Sequence, residues 1–257
     1  MLVTLTFQPE ESPENVAAAF LDAWPSAKVV HIKGPRPGGD VREFYTRFFE
    51  LVGYPLGLAE DATIGDRNAQ RTGEVWFEVR YDPAVPDAYR HSANAQPLHT
   101  DGSYIPNFPN AGFLACQSMP DEGGATTFVD SESVVAALRS EAPELLKRLE
   151  TLPIPHSRSG DRRVEPAIRW YRGEPLVNWN YYCVDPSAGA EVLALREAFS
   201  EFLRSSPDVQ ADIERVKLAP GEAVLWKDDR VLHGRDSFDA KKKSDRFLWK
   251  AALQVTA

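Results

Sequence analysis

Apolar residues recur along this chain in two rhythms, one of helical period and one of strand period. Helical spacing first appears after Ser12, which stands ahead of Pro13 and Glu14 as an N-cap before a proline at the first helical position, and the pattern runs to about Trp24. Val41, Phe44, Tyr45, Phe48 and Val52 predict a second helix over 40–52. Val134, Val135 and Leu138 mark a third after Asp130, and Pro143 opens a fourth that carries Leu145, Leu146 and Leu149. Val192, Leu195, Phe199 and Phe202 line one side of a longer helix over 189–204. Such stripes read as core-facing surfaces.

Between these lie short runs rich in β-branched and aromatic residues, bounded by Pro and Gly: 2–7, 28–31, 75–81, 112–116, 126–129, 176–183, 216–218, 223–226 and 247–255. Helices gather in the N-terminal part and in two insertions rather than between every pair of strands. That order predicts a mainly β, double-sheet fold with flanking helices, not a parallel α/β sheet. Segments 60–75 and 156–175 are charged, contain glycine and read as loops, both candidates for active-site lids.

Composition narrows the function. At 257 residues the chain fits one domain, with a helical N-terminal part (1–95) packed on a β core (96–257). Its formal charge is −9, and Lys241-Lys242-Lys243 is the longest basic run, so a nucleic-acid partner is not expected. Cys116 and Cys183 are too few for a disulfide framework and read as buried free thiols. Met1 to Phe7 lacks the basic start of a signal peptide, and no apolar run approaches the roughly 20 residues of a membrane span. A cytoplasmic protein without membrane contact is expected, and a homo-oligomer is left open.

The chemistry sits in the histidines, of which there are five. His99-Thr100-Asp101 follows Pro97-Leu98 at a strand start, where residues two apart share a face, so an imidazole and a carboxylate can meet one ion. A second imidazole must come from far along the chain, and His233 closes the apolar run Val231-Leu232-His233. Two His and one carboxylate on one face of a six-coordinate ion leave three positions open, as in non-haem iron(II) oxygenases. Alone, the H-x-D spacing is a weak signal. His31, His91 and His156 have no comparable setting and read as structural or exposed.

Three separated blocks raise the specificity. His99-Thr100-Asp101-Gly102-Ser103-Tyr104, then Pro120 to Asp130 with Gly123-Gly124-Ala125-Thr126-Thr127, then Val231 to Phe238 followed by Arg246, resemble the taurine dioxygenase-like family of iron(II)/2-oxoglutarate oxygenases. The resemblance covers about 97–253. It implies a double-stranded β-helix (jelly roll), with Fe(II) held by His99, Asp101 and His233 as the catalytic centre and O2 and 2-oxoglutarate as co-substrates. It implies Arg246, 13 residues past His233, and Thr126 as the residues that bind the far carboxylate of 2-oxoglutarate. A guanidinium suits that task because it grips a carboxylate with two parallel hydrogen bonds. The resemblance further implies hydroxylation rather than halogenation, since related halogenases replace the carboxylate that Asp101 retains.

The substrate is less determined: a small molecule, with an amino acid or carboxylate as candidates. Tyr104, Asn180 and Arg235 are candidate substrate residues, and Trp179 and Tyr181 read equally as core. Lys227 and Lys250 stand out as charges able to alter the surroundings of the metal. The rival readings are the same cofactor chemistry ending in desaturation or ring closure, a hydrolytic zinc site, and a non-catalytic jelly-roll binding protein.

Overall fold

The structure, a computed structural model, describes residues 1–35, 37, 40–57, 74–84, 90–158, 160–243 and 245–256. Along the chain run β1 (Leu2–Thr6), α1 (Pro13–Ala23), β2 (Val29–Lys33), α2 (Val41–Val52), β3 (Gly53–Pro55), β4 (Phe77–Arg80), β5 (Gln96–His99), β6 (Ala111–Ser118) and β7 (Thr126–Asp130). There follow α3 (Ser131–Glu141), α4 (Pro143–Thr151), β8 (Ile154–Arg158), β9 (Asp161–Glu165), β10 (Ile168–Tyr171), β11 (Glu174–Val177), a 3-10 turn at Tyr181–Cys183, α5 (Ala190–Ser205) and α6 (Pro207–Ala211). The chain then lays down β12 (Glu214–Val216), β13 (Ala223–Lys227), β14 (Val231–Arg235) and β15 (Phe247–Val255).

Local chemistry explains the helix starts. The Ser12 hydroxyl accepts from the Asn15 amide, and the carboxylates of Asp40 and Asp130 accept from the amides two residues on. Each cap satisfies one of the amides a helix start leaves unpaired, and the two aspartates also place negative charge at the positive end.

Two sheets face each other. The larger runs β1-β2-β13-β6-β15-β3, with β4 also paired to β15, and the smaller runs β12-β7-β14-β5. Among the described residues β1 and β2 pair in parallel, bridged by α1, while the other named pairings are antiparallel. Alternation along each strand then sorts side chains into three cores. On the outer face of the larger sheet, Phe113, Ala115, Leu225, Ala251 and Leu253 pack against Val16 and Phe20 of α1 and Tyr45, Phe48 and Phe49 of α2. Between the sheets, Leu114, Cys116, Val224, Trp226 and Leu248 meet Phe128 and Val231. Beyond the smaller sheet, Leu98, Val129 and Leu232 pack against α3, α4 and α5. Each fully buried large apolar side chain stabilises the fold by about 1.5–3 kcal/mol.

The architecture differs from the sequence reading in three places. Residues 1–95 are not merely helical, because they contribute β1 to β4 to the larger sheet. The strand expected over 176–183 stops at Val177, since Asn180 turns its side chain onto the Tyr182 amide and caps a 3-10 turn. Segment 156–175, expected as a loop, forms most of two antiparallel hairpins, β8–β9 and β10–β11. On β9 the alternation runs against the usual pattern, with Val164 exposed and Arg163 and Glu165 on the more covered face, so the run reads as a charged loop. The β10–β11 turn holds Arg172 and Gly173 both at positive φ, as a two-residue type I′ turn requires. Most of the other loop expectation, 60–75, lies outside the described residues.

One buried histidine carries a stability consequence. His156 on β8 is fully buried, both ring nitrogens lack a hydrogen-bond partner, and its ring meets Trp179 edge-on at 6.3 Å. Burial pushes its pKa down to about 4 from an ordinary 6.5. The unfolded chain therefore takes up a proton that the folded chain refuses, and stability falls as pH drops from 6.5 toward 4, by about 3 kcal/mol in all. Urea unfolding of the wild type and of His156→Leu across pH 7.5 to 4.5 should show this share of the slope vanish in the variant. Parallel slopes would contradict it.

Candidate active site

The site begins with a pairing between β5 and β14 that sets His99 directly opposite His233. Their rings lie 4.2 Å apart between centroids, and both are buried. His99 Nδ1 donates to the Pro97 carbonyl at 2.9 Å, which leaves Nε2 as the nitrogen with a free lone pair. Asp101 does not lie on the strand, as the H-x-D spacing led one to expect. β5 ends at His99, the Thr100 amide turns to the Trp179 carbonyl at 2.6 Å, and Asp101 enters the following turn. Its carboxylate still reaches the imidazoles: Oδ1 is 3.8 Å from His99 Nε2 and Oδ2 is 3.7 Å from His233 Nε2. One donor atom from each of the three residues falls within 4.8 Å of the others.

A second buried carboxylate braces this group. Asp228, in the turn between β13 and β14, accepts from the Asp101 amide at 3.1 Å and from Trp226 Nε1 at 2.9 Å, and lies 3.7 Å from His233 Nδ1. The Trp226 ring packs on that of His233 at 4.6 Å. Across the interior, Lys250 of β15 donates to Asp101 Oδ1 at 2.6 Å. Sequence reading missed Asp228 and Trp226. It noted Lys250 only as a charge.

The charges divide by surroundings. Burial opposes ionisation of Asp101, but Lys250 and the two imidazoles together hold its carboxyl below the usual range. Burial and the neighbouring Asp101 charge push Asp228 well up. Burial lowers both His99 and His233, which keeps them as the neutral imidazoles a metal requires.

At the other end of the interior stands Arg246, 2% exposed, just ahead of β15. Its Nε donates to the Gly124 carbonyl at 3.3 Å, while Nη1 is buried with no partner. Burial, then the Arg235 charge, presses its pKa down to about 9. The guanidinium stays cationic at neutral pH, and an anion beside it would relieve the strain on that charge. Gly123 and Gly124 both take positive φ, and a side chain on Gly124 would come within 3.2 Å of Arg246 Nε, so this turn admits the arginine. Thr126 shares the inward face of β7 with Phe128, opposite Arg235 on β14. Thr127 Oγ1 instead lies beside Gly234.

The three candidate substrate residues go to different places. Arg235 is buried, donates from Nη2 to the carbonyls of Ser92 and Asn94, and lies over the Phe238 ring as Arg246 does. Asn180 is spent on its cap, and Tyr104 is buried. None of them lines the pocket of about 400 Å3 that opens beside Asp101. Its walls include Thr100, Phe108, Arg163, Arg169, Asp229 and Gln254, and Arg163 and Arg169 share one oxygen of Glu165 at 2.7 and 3.1 Å. The arginines went unread because their hairpins were taken for loop.

Two neutral imidazole nitrogens and a carboxylate with a buried, unpartnered Oδ2 suit a divalent iron with open positions, and the underbonded Arg246 suits a carboxylate. Paired β-sheets enclosing such a site define the class of jelly-roll metal oxygenases. The model of the family described as "Taurine catabolism dioxygenase TauD, TfdA family" matches residues 5–252, and the chain belongs to that family of iron- and 2-oxoglutarate-dependent dioxygenases. A relative, gamma-butyrobetaine dioxygenase of Pseudomonas sp. (strain AK-1), is 29% identical over 192 residues, which is 64% of this chain and 45% of that protein. The match thus spans less than half of that relative's length. Among solved structures, the non-heme iron oxygenase OrfP in complex with Fe and alpha-ketoglutaric acid superposes with a TM-score of 0.70 at 15% identity, covering 99% of this chain and 94% of that one. OrfP has also been solved with (3S)-hydroxy-L-Arg. Asparagine oxygenase gives 0.68 at 13% identity, covering 99% and 93%. These likenesses establish the jelly-roll fold. No helix among the described residues is long and apolar enough to cross a membrane.

The His99–His233 pairing depends on a bare backbone at Gly234, where an added Cβ would meet the Gln96 carbonyl at 2.5 Å. Gly234→Ala should cost about 1–3 kcal/mol of stability and spread the two strands. The measurements are thermal unfolding and cobalt(II) titration. Wild-type affinity in the variant would show that the pairing does not hold the ligands together.

Proposed function

We propose that the chain, as a single domain, is an iron(II)- and 2-oxoglutarate-dependent dioxygenase that hydroxylates a small amino-acid-like or carboxylate substrate. The observation that carries this reading is the convergence of His99, Asp101 and His233 within 4.8 Å in one interior with the buried, underbonded Arg246. Family membership supports the cofactors, and the names of its relatives and neighbours favour amino-acid-like substrates.

In this reading His99 Nε2, His233 Nε2 and Asp101 hold the iron. Arg246 and Thr126 hold the far carboxylate of 2-oxoglutarate. Iron and the keto acid, when bound, supply the activation of O2 with release of succinate and CO2. The protein supplies placement and exclusion of water. Pro97 and Asp228 orient the imidazoles from behind, and Trp226 and Phe128 keep the interior dry. The pocket beside Asp101 receives the substrate, with Arg163 and Arg169 as handles for an anionic group. Arg235, tied to backbone carbonyls beside Arg246, adds positive charge at the keto-acid end. Two buried free thiols, Cys116 and Cys183, suit a reducing compartment, and we place the protein in the cytoplasm.

Two measurements test this. Succinate should form from 2-oxoglutarate only with iron(II) and O2, and one or more members of a panel of amino acids and small carboxylates should stimulate it with a gain of one oxygen in the product. Arg246→Ala should raise the 2-oxoglutarate concentration needed on the order of a hundredfold while leaving iron affinity nearly unchanged. An unaltered 2-oxoglutarate requirement would falsify the role of Arg246.

A further inference from the structure

The two oxygens of Asp101 are not equivalent. On β15, alternation turns Leu248, Lys250, Ala252 and Gln254 toward the interior, while Trp249, Ala251 and Leu253 pack under α1 and α2. Lys250 therefore leaves the larger sheet toward the smaller one and delivers its ammonium to Asp101 Oδ1 at 2.6 Å, with both side chains largely buried. Oδ2 is buried without a hydrogen-bond partner and faces His233 Nε2 at 3.7 Å. The Asp101 amide is tied to Asp228 Oδ1, so the carboxylate is restrained from its backbone as well.

We propose that Lys250 is a positioning residue that keeps Asp101 a one-oxygen metal ligand, binding through Oδ2. The inference rests on the reading of His99, Asp101 and His233 as the iron ligands. A carboxylate carries two oxygens that can both bind one ion. The ammonium occupies lone-pair space on Oδ1 and draws charge from it, which makes Oδ2 the better donor. The difference decides how many positions remain. Two imidazoles and one oxygen leave three of six, enough for a chelating keto acid and O2. Two imidazoles and two oxygens leave two, which the keto acid alone would fill. Lys250 thereby protects the position that O2 needs, acting through Asp101.

The test uses a neutral probe, because loss of a positive charge would by itself alter the binding of anions. Oxygen-free enzyme loaded with iron(II) and 2-oxoglutarate is titrated with nitric oxide, and the paramagnetic iron–nitrosyl signal reports occupancy of the O2 position. Lys250→Met keeps most of the stem and removes the ammonium, and Lys250→Arg restores a cation. The wild type and Lys250→Arg should bind nitric oxide alike, and Lys250→Met at least about tenfold more weakly, while its iron affinity holds or rises. Should methionine disturb folding, judged by thermal unfolding, Lys250→Gln carries the same prediction. Nitric oxide affinity equal to wild type in the lysine-free variant overturns the proposal, and so does a parallel loss of iron, which marks a merely structural role. A wild type that binds no iron, or binds no 2-oxoglutarate once loaded, sinks the assigned function itself and is a different result.

Discussion

The opposition of His99 and His233 across one antiparallel pair is the constraint on which the rest depends. Strand pairing sets the two imidazoles 4.2 Å apart with no dedicated loop, and the β5–β14 register shifts just past that pair, between His233 and Arg235. Because β14 also pairs with β7, the same register that sets His233 against Phe128 sets Arg235 against Thr126. A slip of β14 by one residue would turn His233 and Arg235 out of the interior. The placement of His233 and Arg235, and of Phe128 and Thr126 opposite them, is thus the consequence of a single β14–β7 register.

How the sequence and the structure compare follows from this. Helices α1 to α5 were legible because their stripes are strong and their caps are local, as Ser12, Asp40 and Asp130 act on amides within three residues, whereas the five-residue α6 is too short to show a stripe and went unread. Single strands that read as continuous apolar runs, such as 112–116 and 223–226, were legible because both of their faces are buried. Partners were not, since nothing in residues 2–7 or 28–31 announces that they join a sheet completed by β13, β6 and β15. Spacing and resemblance singled out His99, Asp101 and His233, and the fold brings their donor atoms within 4.8 Å of one another. Asp228 was visible only as one of two adjacent acids, and its service to the Asp101 amide and the Trp226 indole arises when a turn folds it inward. Arg163 and Arg169 were hidden by a misread: charged hairpins with small alternating apolar content look like loops to any period-based argument.

Electrostatically the interior is a gradient. At one end lie Arg246 and Arg235, both buried, over one phenylalanine ring. At the other lie Asp101 and Asp228, whose proximity drives their ionisation apart. Between them sit two imidazoles kept neutral by burial. Charged groups this deep are costly unless paired. Lys250 meets part of that cost at the acidic end. The arginine end calls for an anion. A divalent cation and a dicarboxylate, placed in that order, match the two deficits.

β15 ties both ends of the interior to the larger sheet. This strand comes last along the sequence yet lies inside the sheet, holding β6 on one side and β3 and β4 on the other. It also brings Lys250, with Arg246 immediately before it. β3 and β4 pair with no other strand among the described residues, so whatever loosens β15 loosens them with it. The spacing between Lys250 at the Asp101 carboxylate and Arg246 at the buried positive end is set by one stretch of backbone, so local opening of β15 would disturb both together.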